Sequence, residues 1–161
     1  MICSKCGKDH SPEEMELTFQ RPDDAAKLSS EERKKRLQEN SDLCIIEGKR
    51  FFVRAVLPLP VDSRESPYNI GLWVEVSQVS FERIYELWDS KEQAEEPSFA
   101  ATIANEIPIS AGSIGQEAQL HLTGPSTRPD VFLKPSNHPL YAEQTKGVDL
   151  HRISEYSALF S

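Results

Sequence analysis

The chain has 161 residues, the usual size of one domain and enough to bury a hydrophobic core. It carries 26 acidic and 18 basic residues, and the net charge of -8 repels nucleic acid and favours a basic partner, if any. No apolar run is long enough to cross a bilayer, and the N-terminus lacks the regions of a secretory signal. We therefore expect a cytoplasmic protein with no membrane association, formed by a single domain over residues 1–161.

The N-terminus carries the most informative motif, two cysteines separated by two residues and followed by a glycine. Cys3 and Cys6 can bind one Zn²⁺ from a single tight turn, and structural zinc takes four ligands in a tetrahedron. We predict Cys44 as the third ligand, and the alternative is an ordinary buried cysteine. A redox pair is disfavoured because no strand precedes the motif, and three cysteines do not fit a disulfide framework.

We predict the fourth zinc ligand from its distance along the chain to the two cysteines. His10 lies four residues after Cys6 and is the nearest candidate. His138, His151 and the carboxylate of Asp42 are possible substitutes. The predicted structural zinc site therefore consists of Cys3, Cys6, Cys44 and His10.

The segment after the knuckle is expected to wrap the surface. Residues 11–28 are polar and contain two prolines, which disfavours regular structure over most of their length. Ser29 and Glu32 form a capping box that opens a short exposed helix ending near Glu39. The basic run at residues 33–36 is flanked by glutamates, so we interpret it as a solvated helix face; nucleic-acid binding is the weaker alternative.

Beyond residue 44 the pattern changes to that of a sheet. Apolar residues alternate with period two, and Glu47, Gly48 and Lys49 are predicted to form the turn of a hairpin. The predicted strands cover residues 51–61, 70–76, 99–103, 119–123 and 131–134, after a strand that starts near residue 44.

Three helices are predicted among and after these strands. Ser80 is expected to cap the first of them, and Asn137 and Asp149 to cap the last two, with Gly147 between. The first helix is expected to pack on the sheet through Phe81, Ile84, Tyr85 and Trp88. The prediction is an α+β fold with an antiparallel or mixed sheet, helices mainly on one face and an N-terminal zinc knuckle. Residues 1–44 form the knuckle and wrap with one helix, and residues 45–161 form the α+β core.

Two constellations bear on function. Trp73 and Glu75 share a strand face on which Arg54 is also expected to lie. If this face is open, it could bind a partner protein; if a helix covers it, the three residues are part of the core and include a buried ion pair. We favour the covered face. His138 and Glu143 are five residues apart, a poor spacing for stacking on one helix, so an acid–base pair is disfavoured. The sequence contains no phosphate-binding loop, nucleophile elbow or metalloprotease motif.

The chain resembles the uncharacterised bacterial proteins grouped as domain of unknown function 2199, from Cys3 to about Gly147. The resemblance implies no activity, substrate, cofactor or catalytic residue. It rests on short motifs in order: Cys3-x2-Cys6-Gly7-x2-His10, Ser41-Asp42-Leu43-Cys44, Phe51-Phe52-Val53-Arg54, Gly71-Leu72-Trp73-Val74-Glu75-Val76-Ser77, Arg128-Pro129, and His138-Pro139-Leu140 with Glu143-Gln144.

The favoured function is a non-enzymatic, zinc-stapled module that binds another protein, for example as an immunity or inhibitor protein acting on a basic target. One alternative is a zinc-dependent enzyme, which requires an open coordination position. The other is a nucleic-acid-associated zinc protein. No catalytic residue and no small-molecule substrate is identifiable from the sequence.

Overall fold

The computed structural model describes residues 15–159, so Cys3, Cys6 and His10 lie outside the described residues. The helices are α1 Asp23–Ala26, α2 Ser30–Arg36, α3 Gln78–Leu87, α4 Pro139–Lys146 and α5 Leu150–Ala158, with a 3-10 turn at Gln93–Glu95. The strands are β1 Leu37–Glu39, β2 Leu43–Ile46, β3 Arg50–Leu59, β4 Tyr68–Val76, β5 Phe99–Ile103, β6 Glu117–His121 and β7 Asp130–Leu133. None of the helices between residues 15 and 159 has the length and apolar character that a membrane span requires.

The strands form one mixed sheet that closes on itself. They follow one another in chain order, each antiparallel to the next, and β3 also pairs with β7 in parallel. The predicted α+β class is confirmed, and the closure is a feature that the sequence analysis did not predict. Alternation of apolar residues shows which side of a strand is buried, but it does not show which strands share an edge.

The inner side of the closed sheet holds the main hydrophobic core. β3 alternates over its whole length, and its inward side chains are Phe51, Val53, Ala55, Leu57 and Leu59. The buried apolar residues of α3, α4 and α5 join the same cluster, whereas the buried residue of α1 lies in a second cluster on the outer side. The three longest helices therefore pack against one face of the sheet.

The first residues of some helices, and the side chains that they turn toward the sheet, differ from the prediction. Ser77, not Ser80, caps α3, because its hydroxyl accepts a hydrogen bond from the Ser80 amide at 3.1 Å. Tyr85 is 67% exposed and so does not pack on the sheet: it follows the buried Ile84 by one residue, a rotation of about 100° around the helix. The capping box of Ser29 is confirmed, although α2 ends at Arg36 because the next three residues join the sheet as β1.

Both C-terminal helices are capped by side chains. His138, in place of the predicted Asn137, caps α4, because its Nδ1 accepts a hydrogen bond from the Leu140 amide at 3.0 Å. Gly147 ends that helix at a positive φ of 94°, and Asp149 caps α5, both as predicted.

A strap formed by residues 17–26 covers part of the outer side of the sheet. Leu17 and Phe19 exchange backbone hydrogen bonds with Gly71, along the part of β4 that β5 leaves unpaired. A Cβ at Gly71 would lie 2.5 Å from Thr18 Oγ1, so any larger residue would require Thr18 to shift. Beneath the strap lies the second cluster, Ala25, Cys44, Ile46, Phe52, Trp73 and Ala104.

A glutamine side chain completes the joint between β3 and β7. The Val56 amide donates to the Pro129 carbonyl at 2.9 Å, but Pro58, two residues further along the same edge, has no N–H to continue the ladder. Gln144 supplies the missing bonds: its Oε1 accepts from the Leu133 amide at 2.8 Å, and its Nε2 donates to the Val131 carbonyl at 2.9 Å. The same Nε2 also reaches the Pro58 carbonyl at 3.3 Å.

Gln144→Met is therefore expected to lower the free energy of unfolding by about 2 to 4 kcal/mol, because it leaves buried backbone groups of β7 without partners. Urea denaturation measures the loss. Gln119→Met is the control: Gln119 lies on the outer side of β6, where its Oε1 accepts from the Ser98 hydroxyl, and a change within about 0.5 kcal/mol is expected. Equal stability of Gln144→Met and the wild type would show that the joint does not depend on this amide.

Candidate functional site

An open groove crosses a part of the outer sheet surface that the strap leaves uncovered. Two adjoining depressions of about 840 Å³ and about 490 Å³ share Pro58 and Pro67 in their walls, and together they are called the groove. The floor is made by the outward side chains of β3, Val56 and Pro58, which are only partly buried. The groove lies directly over the joint between β3 and β7, since Val56 pairs there with Asp130.

One end of the groove is mainly apolar, although Arg64 and Glu65 also line it. Phe132 projects from the outer side of β7 and is 45% exposed, which is high for a phenylalanine in a strand. Tyr141 on α4 lines the same end. The prolines around them are Pro58, Pro60, Pro67 and Pro135. These rings present a rigid apolar surface that loses little conformational freedom when something binds.

The other end is polar and is shaped by the loop between β6 and β7. Gln93, which is almost fully buried, fixes this loop to the end of α3: its Nε2 donates to the Trp88 carbonyl at 2.8 Å, and its Oε1 accepts from the Gly124 amide at 3.2 Å. Arg128 in the loop forms an ion pair with Asp42 at 3.1 Å. The loop therefore has a defined shape at the mouth of the groove.

Asp130 is a partly buried carboxylate of this groove that lacks a partner, whereas Glu65, at the other end, is exposed. No residue between 15 and 159 forms an ion pair with it or donates a hydrogen bond to its side chain. Burial raises the pKa of Asp130, and the nearby His121 opposes that shift only in part. The folded protein thus holds a partly desolvated negative charge that a cation from outside could neutralise.

Cys44 lies on the outer side of the sheet, beneath the strap. It is fully buried in the second cluster, and burial raises the pKa of its thiol to about 11. Among residues 15–159 there is no group of three or more metal-binding side chains, so the described part of the chain does not by itself form a metal centre. The predicted partners of Cys44 are the ones that lie outside the described residues.

The candidates considered as substitute ligands are distributed over different parts of the fold. His138 caps α4 and contacts the Ala111 carbonyl through Nε2 at 2.9 Å. Asp42 pairs with Arg128, and His151 lies in α5. No metal-binding group forms from them within the described residues.

His138 and Glu143 do not form an acid–base pair. Glu143 forms an ion pair with Arg152 at 2.7 Å and accepts a hydrogen bond from the hydroxyl of the buried Tyr156. Burial raises the pKa of Tyr156, so the phenol stays protonated as a donor. The network ties α4 to α5 and has a structural role.

The outer patch predicted around Trp73 is covered. Trp73 is only 1% exposed, and its Nε1 donates to the Phe19 carbonyl at 3.0 Å. The cover comes from the strap with its four-residue helix, not from a long helix packed on the sheet. Glu75 pairs with Arg50 at 2.8 Å, so an ion pair of Glu75 with Arg54 is not formed.

The sequence analysis missed the groove because its residues are far apart in the chain and include few of the usual catalytic types. Asp130 is one of 26 acidic residues, and nothing local distinguishes it. The usable signal was the proline content near predicted strands, since proline in a strand marks an edge or a break in pairing. Pro58 and the Arg128-Pro129 motif flank the joint at which the groove forms.

Comparison with known proteins identifies the family. A protein-family profile described as "Uncharacterized protein conserved in bacteria (DUF2199)" matches residues 2–148. The chain belongs to this family, as the resemblance in the sequence motifs predicted. No curated protein and no solved structure gives a significant match.

Asp130→Asn is expected to raise the melting temperature at neutral pH by about 1 to 3 °C, because it removes a charge that burial disfavours. The raised pKa means that ionisation of Asp130 costs stability as pH rises from about 3.9 through its folded value. The gain should therefore shrink as pH falls toward about 4. Scanning calorimetry across this range measures it.

Asp24→Asn is the matched control with the opposite sign. The hydrogen bond from Arg50 lowers the pKa of Asp24, so its charge stabilises the fold above the ordinary aspartate pKa. We expect this variant to lose about 0.5 to 1 kcal/mol throughout the range from about pH 5 to 7. A melting temperature lowered by Asp130→Asn would contradict the electrostatic analysis of the groove.

Proposed function

We propose that this protein is a non-enzymatic module that binds an extended segment of a partner protein in the groove, with a basic side chain of that segment on Asp130. The observation that carries the proposal is the combination of a partly buried, partnerless carboxylate with an exposed wall of proline and aromatic rings. Apolar anchors beside a defined charged contact are the usual composition of a protein-recognition site.

The apolar end supports an extended segment as the occupant. Phe132 and Tyr141 line this end together with four prolines, and such a surface suits the apolar side chains of an extended backbone. Bound apolar side chains would cover Phe132, whose exposure is costly in water. Burial of this apolar surface by a peptide would therefore make binding more favourable.

Charge supports a basic partner. The net charge of -8 attracts a cationic protein over long distances and raises the rate of encounter. At short range, an arginine or lysine would replace the hydration that Asp130 has lost on folding. An immunity or inhibitor protein that occludes a basic target is one form of this function.

We also propose that zinc, bound by Cys3, Cys6, Cys44 and His10, anchors the N-terminus to the outer side of the sheet. Cys44 supports this proposal by its position, because it lies beneath the strap and not in the main core. Zinc binding would displace the proton that burial favours on the Cys44 thiol. Thiolate ligands also require a reducing compartment, which fits a cytoplasmic location.

Selection of short random peptides on the wild-type protein tests the groove. We expect the enriched peptides to combine an arginine or lysine with neighbouring apolar residues. Asp130→Asn should weaken their binding by about tenfold or more, measured by calorimetry with one synthetic peptide, because a charge-assisted contact is lost.

Glu31→Gln removes the same charge from an exposed position on α2 and serves as the control. It should leave the affinity almost unchanged. Three outcomes would overturn the proposal: no enrichment, enrichment of acidic peptides, or equal weakening by the two variants. Because Asp130→Asn is expected to stabilise the fold, weaker binding cannot be ascribed to unfolding.

The zinc site predicts about one zinc per chain in protein purified without a histidine tag. Cys3→Ser and Cys6→Ser should lose the metal but keep the cooperative unfolding of the sheet, because the main core contains no cysteine. His121→Ala should keep it. Stoichiometric zinc with unchanged coordination in Cys44→Ala would remove Cys44 from the ligand set, and a wild-type protein without metal would overturn the site.

A further inference from the structure

Arg54 occupies an unusual position on the outer side of β3, at the margin of the strap. Its guanidinium lies over the Trp73 ring, 5.8 Å from the ring centre. Its two terminal nitrogens donate to the Ser41 carbonyl at 3.1 Å and to Thr18 Oγ1 at 3.3 Å. Nε is buried and finds no acceptor among residues 15–159.

The cations around Arg54 outnumber the carboxylates. Arg21 binds Glu39 through two nitrogens, at 3.1 Å and 3.0 Å for the shortest contacts, and this pair is balanced. Arg128 binds Asp42, and this pair is balanced as well. Arg54 forms no ion pair within the described part of the chain, so three guanidinium groups face two carboxylates.

The environment disfavours the charge that Arg54 carries. Burial lowers the pKa of Arg54, and repulsion from Arg128 lowers it further, while Asp42 opposes both only in part. A guanidinium does not lose its proton in a protein, so Arg54 stays charged and its positive charge is not neutralised by neighbouring carboxylates. An excess of positive charge is unexpected in a protein of net charge -8.

A polar pocket opens beside this guanidinium. It has a volume of about 400 Å³, large enough for a carboxylate or phosphate group with its nearest substituents. Its walls are Gln20, Arg21, Glu39, Asn40, Ser41 and Arg54. Each terminal nitrogen of Arg54 has one hydrogen left beyond its bond to Ser41 or Thr18, and these hydrogens suit an oxyanion.

We infer that this pocket is an oxyanion site in which Arg54 binds a carboxylate or phosphate group. The site is separate from the groove that receives a basic segment in the proposed function. The ligand supplies the negative charge that Arg54 lacks nearby, and the cation–π contact with Trp73 helps to hold the guanidinium in place.

Titration of the protein labelled with ¹⁵N at its arginine side chains tests the site, with inorganic phosphate in one arm and acetate in the other. Ionic strength is held constant so that general screening is the same throughout. We expect a saturable shift of the Arg54 signals with a dissociation constant of about 1 mM. The arm that saturates at the lower concentration identifies phosphate or carboxylate as the preferred group.

Variants give the charge dependence. Arg54→Met should abolish saturable binding, whereas Asp42→Asn should tighten it several-fold, because it releases Arg128 from its partner. Arg83→Met is the matched control: it removes one cation of α3 that is paired with Glu86 and Glu96, and binding should not change.

Non-saturable shifts in both arms, or weaker binding by Asp42→Asn, would overturn the inference. Asp42→Asn and the wild type keep the test valid if Arg54→Met does not fold. If anion binding is not found, the proposed function of the groove is not affected, since peptide binding depends on Asp130 and is measured without added anions.

Discussion

The joint between β3 and β7 is the contact on which the rest of the structure depends, because it turns an open sheet into a closed one. Three neighbours share the edges of β3: β4 along one edge, and β2 and β7 in separate halves of the other. Pro58 interrupts the second ladder, and the Gln144 amide replaces its missing hydrogen bonds. The closed sheet encloses the main core, which α3, α4 and α5 complete.

Closure also divides the outer surface into two parts with different chemistry. The strap covers one part, where Trp73 and Cys44 are buried and Arg54 is left with an excess of positive charge. The groove opens on the other part, where Asp130 keeps an unbalanced negative charge beside the exposed Phe132. The outer surface thus carries two uncompensated charges of opposite sign, and each costs stability in the free protein. Each is expected to bind a ligand group of the opposite charge.

Local patterns predicted the parts of the fold that are determined locally. Alternation located the strands, and the capping side chains Ser29 and Asp149 located helix starts, because both depend on neighbours within a few residues. The closure and the groove depend on pairs such as Val56 with Asp130, which are distant in the chain. Of the residues in the family motifs, Gln144 completes the joint, which is a structural role, and this helps explain why the motifs indicated a family without indicating a function.

The most direct test of the account is an amide chemical-shift map of the ¹⁵N-labelled protein, titrated with the tightest basic peptide from the selection. The account predicts saturable shifts concentrated at Val56, Asn69, Asp130 and Phe132, with little change along the strap or α2. Shifts confined to the strap and the pocket at Arg54, or spread evenly over the acidic surface, would contradict recognition in the groove.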